Sequence, residues 1–206
     1  MTFALIPACG KSTRMGRPKL ALKLGERTVL EHVLHALRAG GVEQTLVVVG
    51  PHVPELAAFA EANAVDVCRL DEETSDMRAT VEAGLDWLER RYQPRPEDDR
   101  LLVPGDHPTL DPDVVRQLRR ARAEQPERSI VVPTFAGRRG HPTLIAWKHV
   151  ASIRAHRRGH GLNTYLRERG NDVLEIPVVN AGLLCDLDTP EDYERLRQEM
   201  RLTPPH

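Results

Sequence analysis

At 206 residues the chain is long enough to bury a proper core and suits one α/β domain over residues 1–206. Its 29 basic residues are balanced by 30 acidic ones, which leaves no electrostatic case for a nucleic-acid partner. Cys9, Cys68 and Cys185 are odd in number, far apart and without C-x-x-C spacing, so neither a disulfide framework nor a cysteine zinc site is indicated. With no signal-peptide pattern and no apolar run of about 18 residues, the expectation is a cytoplasmic protein with no membrane partner.

An apolar run from Phe3 that stops at Gly10 reads as a buried strand feeding a loop at its carboxyl end. Leu30, Val33, Leu34 and Leu37 recur at helical spacing after Thr28, and Gly40-Gly41 close that helix. Gln44 to Val49 predicts the second strand, Pro54 to Ala62 a helix, and Val65 to Leu70 a shorter third strand. Met77, Val81, Leu85 and Leu88 mark a helix ending near Tyr92, with Met77 and Val81 read as core residues. Gln93 to Arg100 reads as a surface connection before the strand Leu101 to Val103. Asp111-Pro112 starts a helix, Ile130 to Pro133 is a strand, and the basic turn Phe135 to Gly140 joins it to Thr143 to Trp147 as a hairpin. Lys148 to Asn171 is basic and less regular; Val173 to Val178 and Leu183 to Leu187 predict strands, and Thr189-Pro190-Glu191-Asp192 opens the last helix with a capping box. The alternation of strands and helices predicts a mostly parallel sheet covered by helices.

The first loop carries the most chemistry. In FALIPACGKSTRMGRPK, Phe3 to Lys19, glycines let backbone amides approach phosphate oxygens, Ser12 and Thr13 add hydroxyls, and Lys11, Arg14 and Lys19 bring positive charge. Gly10-Lys11-Ser12 imitates a P-loop, but the glycine required five positions earlier is Leu5. A Rossmann G-x-G-x-x-G fails as well, since Gly10 and Gly16 are six apart with no third glycine at the needed spacing. What remains, two small residues and then G-x-S/T-x-R-M-G-x-x-K, resembles the signature of the GT-A-like nucleotidyltransferases, and within them the molybdenum cofactor cytidylyl- and guanylyltransferases.

The resemblance extends over nearly the whole chain and implies a three-layer, Rossmann-like fold with helices on both faces of the sheet. It further implies an Mg²⁺-dependent enzyme, with Mn²⁺ as a substitute, that moves a nucleotidyl group from an NTP to a phosphorylated acceptor. Gly105-Asp106-His107-Pro108 matches the family's G-D-x-P. A G-D dipeptide alone only makes a turn; the match makes Asp106 the first choice of metal ligand. Asp186-Leu187-Asp188-Thr189-Pro190-Glu191-Asp192 matches D-x-D-T-P-E-D, which implies Asp188 as second ligand with Asp186 nearby; capping of the last helix is the compatible alternative. Arg14 and Lys19 are the implied catalytic cations beside Asp106, and Ala8, Cys9, Gly10, Lys11, Ser12 and Thr13 join them around the nucleotide. Gly137 to Pro142 resembles a family hairpin that would place Arg138, Arg139 and His141, together with Asn163, at the acceptor; His141 reads as a positioning group rather than a base.

By the same resemblance Asp71 and Thr80 lie beside the base. Three departures stand out: Asp76 where glycine is usual, Pro7-Ala8-Cys9-Gly10 in place of L-A-A-G or L-A-G-G, and Arg158 to Asn163 in place of G-D-x-G-x-R. The second leans towards CTP; the resemblance implies a molybdopterin-like cofactor as the acceptor, on which the third departure casts doubt. Cys9 reads as a small filler rather than a reactive thiol. The alternatives are a sugar-1-phosphate nucleotidyltransferase, or a non-catalytic nucleotide-binding module that serves a cofactor-accepting partner enzyme.

Overall fold

The computed structural model of the chain describes residues 1–156, 162–179, 182 and 186–202. The strands are β1 (Thr2–Ala8), β2 (Lys23–Leu24), β3 (Arg27–Thr28), β4 (Gln44–Val49), β5 (Asp66–Arg69), β6 (Asp99–Leu102), β7 (Ile130–Phe135), β8 (Arg138–Arg139), β9 (Thr143–Ala146) and β10 (Val173–Pro177). The helices are α1 (Val29–Ala39), α2 (Glu55–Ala62), α3 (Met77–Tyr92), α4 (Pro112–Glu124), α5 (Val150–Ala155), α6 (Leu162–Glu168) and α7 (Pro190–Leu202). The main sheet runs β10-β7-β9-β6-β1-β4-β5, with β8 on β7, while β2 and β3 form a separate ribbon. β1 pairs in parallel with β4 and β6, β4 with β5, and β7 with β10; in the main sheet, among the described residues, only β9 and the short β8 run against their neighbours, and the β2–β3 ribbon is antiparallel.

Strict alternation of side chains makes this a layered structure. Along β1, Ala4, Ile6 and Ala8 face a core shared with α1, α2, α4 and α7, whereas Phe3 and Leu5 face the other way, towards Leu85 and Leu88 of α3 and Val150 of α5. β4 divides in the same manner, Val47 and Val49 against Leu46 and Val48. A third apolar group gathers Ile130, Val132 and Ile145 under Tyr165 and Leu166 of α6. Helix ends follow their caps. Thr28 and Glu31 complete a reciprocal capping box on α1, Asp111 accepts from the Asp113 amide at 2.8 Å on α4, and Gly41 closes α1 with φ +81°.

Four expectations are revised. β6 begins at Asp99, so Arg100 belongs to a central strand and not to the surface connection; a charged residue in the strand disguised its apolar pattern. The turn after β7 first makes a tight hairpin with β8 through Ala136 (φ 49°) and Gly137 (φ 74°), and the chain then returns as β9 to pair with Ile130 and Val131. Lys148 to Asn171 holds α5 and α6, too short for a clear helical period in the sequence. Of the strand expected at Leu183 to Leu187, positions 183–185 lie outside the described residues, and Asp186 and Leu187 carry no strand pairing.

Behind β9, the buried His149 ring lies 2.8 Å from Ser129 Oγ through Nε2 and 2.8 Å from the Tyr165 hydroxyl through Nδ1. Burial pushes its pKa down to about 4, from an ordinary value near 6.5. Between those values the unfolded chain takes up a proton that the folded chain refuses, so unfolding gains as the pH falls. Stability is therefore expected to decline from about pH 6.5 to about pH 4, and the slope of Tm against pH over that range to flatten in H149Q. An unchanged slope would mean that His149 is protonated in the folded chain.

Candidate active site

The loop after β1 is shaped by backbone rather than by side-chain packing. Ser12 sits at φ 49° and Gly16 at φ 65°, the latter a conformation that favours glycine. The Ser12 carbonyl accepts from the amides of Met15 (2.9 Å) and Gly16 (3.1 Å), and its hydroxyl accepts from the Lys19 amide at 3.1 Å. Met15 and Leu20 are buried and anchor the returning arm, which directs the Lys19 side chain inward.

Beneath it lies the loop after β6. A Cβ on Gly105 would stand 3.0 Å from Leu20 Cδ1 and 3.2 Å from Ile6 Cγ2, so a bare backbone is what lets the two loops close on one another. The Lys19 ammonium then donates to Asp106 Oδ2 at 2.6 Å and to Asp188 Oδ1 at 2.9 Å, while Arg14 donates to Asp188 Oδ2 at 3.0 Å. Burial works against the Lys19 charge, but the two carboxylates outweigh it and raise its pKa. The hydrogen bond from Lys19, helped by Arg14, in turn holds the Asp188 carboxyl below its usual range despite partial burial.

Asp188 arrives from a distant part of the chain and is held by local geometry. The Leu187 amide donates to the Asp106 carbonyl at 3.0 Å. Asp192 accepts from the Thr189 amide (3.0 Å), the Thr189 hydroxyl (2.9 Å) and the Asp188 amide (3.3 Å), and the Asp192 amide donates back to Thr189 Oγ1 at 3.2 Å. This is the expected capping box, used to fix the turn that presents Asp188. The nearly buried His107 ring holds Asp186, with Nε2 to Oδ1 at 2.6 Å.

These elements border a groove of about 300 Å³ lined by residues that include Ala8, Gly10, Ser12, Lys19, Asp106 and His141. His141 stands edge-on to His107, ring centres 5.9 Å apart, and burial pushes its pKa down, so it is neutral near pH 7. Cys9 is half-buried with its thiol 3.4 Å from the Val48 carbonyl, and burial raises its pKa, which suits a filler rather than a nucleophile. Lys11 is exposed and pairs with Glu73 at 2.7 Å, and Thr13 opens a short 3-10 turn. Asp71 is exposed; Thr80 is buried with its hydroxyl 2.6 Å from Thr74 Oγ1, beneath the loop that carries Asp71. Asp76 caps α3, accepting from the Ala79 amide at 2.8 Å, which gives its side chain a use that glycine lacks. Arg139 pairs with Glu175 of β10 at 2.7 Å, Arg138 and Asn163 are exposed, and none of the three lines the groove. Positions 158–161 of the expected acceptor segment lie outside the described residues.

Met77, expected in the core, is 61% exposed and lines the groove as the first residue of α3. Leu20, Leu102 and His107 were missed. Their signals were position only, next to Lys19, at the end of β6 and next to Asp106.

The model of the MobA-like NTP transferase domain matches residues 4–173, which contain both loops of this groove. The chain belongs to that family. It is a nucleotidyltransferase with a GT-A-like fold. Among curated relatives, the molybdenum cofactor cytidylyltransferase of Escherichia coli is 24% identical over 92% of each chain. The bifunctional protein GlmU of a Chelativorans species is 35% identical over 66% of this chain, which spans only 31% of that protein's length. A solved structure of Rv0371c from Mycobacterium tuberculosis in complex with manganese superposes with a TM-score of 0.74 at 24% identity, covering 96% of this chain and 97% of that one. Among the described residues no helix is long and apolar enough to cross a membrane.

Because Asp192 secures three donors at the turn before α7, D192A is expected to cost about 1 kcal/mol of unfolding free energy. Urea denaturation measures it, and a loss within a few tenths of a kcal/mol of zero would show that the turn holds without its cap.

Proposed function

We propose that the chain transfers a nucleotidyl group, CMP by preference, from an NTP to a phosphorylated acceptor with release of pyrophosphate. The observation that carries this reading is the meeting of Lys19, Asp106, Asp188 and Arg14 at the mouth of a groove bounded by a glycine-containing loop. The cytidylyltransferase relative and the Ala8-Cys9 pair support CTP, and both stop short of naming the acceptor.

Two hard carboxylate oxygens converge on a single cationic atom, Lys19 Nζ, which is a donor set that suits Mg²⁺ or Mn²⁺. Asp106 and Asp188 would hold that ion, and the manganese in the solved relative supports a divalent cation here. When bound, the metal neutralises charge on phosphate oxygens and orients them. The chain's own residues do the rest. Gly10 to Arg14 wraps the triphosphate with backbone amides, while Arg14 and Lys19 take up charge that develops on the α-phosphate and the departing pyrophosphate. Asp71, and Thr80 acting through Thr74, shape the base site. An acceptor phosphate is already ionised near neutral pH, so in-line attack on the α-phosphorus needs no general base. His141, kept neutral by burial, orients the acceptor; Arg138, Arg139 and Asn163 reach for its outer part, Arg139 by exchanging Glu175 for it.

A thermal-shift screen of CTP, GTP, ATP and UTP, each with and without Mg²⁺, tests the base, and pyrophosphate release over a panel of phosphorylated acceptors that includes sugar 1-phosphates tests the transfer. A metal-dependent shift with CTP above the others is expected; equal shifts with all four would remove the base preference. K19A is expected to lower turnover at least about tenfold with folding intact, since a charge-assisted hydrogen bond is worth about 1.5–3 kcal/mol. In nucleotide-free protein the Lys19 ammonium competes with a cation for the same two carboxylates, so K19M is expected to bind Mn²⁺ more tightly than the parent in a titration followed by electron paramagnetic resonance. Weaker Mn²⁺ binding by K19M would refute the shared site.

A further inference from the structure

On the other side of Met77 and Leu102, which border the catalytic groove, lies a second hollow of about 200 Å³. Its walls are mostly apolar, with Val81 and Leu85 of α3, Ile153 of α5, and Leu162 and Tyr165 of α6, and Glu82 and His156 also line it. Into it faces Arg100 of β6, which is 3% exposed. In the sheet Arg100 stands opposite Phe3 on one side and Ile145 on the other, both apolar and buried.

The other two arginines of the hollow have acids. Arg78 pairs with Glu82 at 2.8 Å and also clasps the carbonyls of Ile153, Arg154 and His156 at the end of α5, and Arg154 pairs with Asp86 at 2.6 Å and Glu89 at 2.9 Å. Arg100 has none. Its Nε has no hydrogen-bond partner among the described residues, no carboxylate pairs with it, and the charged neighbour that acts on it most is Arg154, which repels it. A guanidinium taken out of water with no counter-charge is costly, and a fold keeps such a group at the centre of its sheet only at the expense of stability.

We propose that this hollow binds a small organic anion, an oxyanion group on an apolar body of about benzoate size, with the oxyanion on Arg100. The planar fork of arginine matches a carboxylate or phosphate edge, and the apolar walls match the body. Size agrees, because an apolar cavity of about 150 Å³ already accepts benzene. The site is independent of which nucleotide or acceptor the catalytic groove takes.

The test uses the whole chain with ¹⁵N-labelled arginine, following the Arg100 Nε–Hε resonance while benzoate, phenyl phosphate or the uncharged benzyl alcohol is added. Benzoate or phenyl phosphate is expected to shift that resonance and to raise Tm, the comparison of the two deciding between a carboxylate and a phosphate ester. Benzyl alcohol is expected to bind at least about tenfold more weakly. R100M is expected to lose the response to both anions and, without any ligand, to melt higher than the parent, since it keeps the apolar stem and removes the unpaired charge. V81F, which fills the hollow and leaves Arg100 in place, is expected to block both anions. Equal binding of benzyl alcohol, an unmoved Arg100 resonance at millimolar anion, or a lower Tm for R100M would each overturn the proposal, the last by showing that the guanidinium already has a structural partner.

Discussion

Lys19 Nζ lies 2.6 Å from one carboxylate and 2.9 Å from another, and two acids brought so close would repel each other strongly without a cation between them. Everything around the groove serves or tolerates that meeting. The left-handed turns at Ser12 and Gly16 bend the first loop back so that Lys19 points inward, and the bare Gly105 lets the second loop rise to meet it. The amide of Leu187 on the Asp106 carbonyl then brings the third segment alongside. Two cations, Lys19 and Arg14, face two carboxylates, Asp106 and Asp188, so charge nearly cancels within the cluster.

The sheet makes such convergence possible. β1 and β6 are parallel neighbours, so the loops that follow them leave from the same edge, where open α/β sheets place their ligands. Helices on both faces bury each strand's two sets of side chains and leave the strand ends as the open surface of the framework.

Much of this was legible in the residues. β1, β4, α1 and α3 follow from runs and periods that only one element satisfies, and Gly16 and Asp106 stand where a loop must turn or present a charge. Arg100 and Met77 were not legible, for opposite reasons. A lone arginine beside acids and prolines looks like surface until the register shows its neighbours to be Phe3 and Ile145, and a methionine at helical spacing looks like core until the start of α3 is seen to overhang the groove. Arg139 illustrates a third limit: its partner Glu175 lies on a strand that no local pattern connects to it. Asp76 fits its place through backbone chemistry, an N-cap, that a motif comparison scores only as a departure.

The carboxylate that completes the cluster comes from Asp188, late in the chain, and is held there by the capping of α7. Lys19 and Asp106 stand on loops that follow two strands paired side by side, β1 and β6, whereas the Asp188 segment reaches them through the Leu187 amide and side chains. The charged centre is therefore modular: undoing the turn before α7 would release Asp188 and leave the Lys19–Asp106 pair standing.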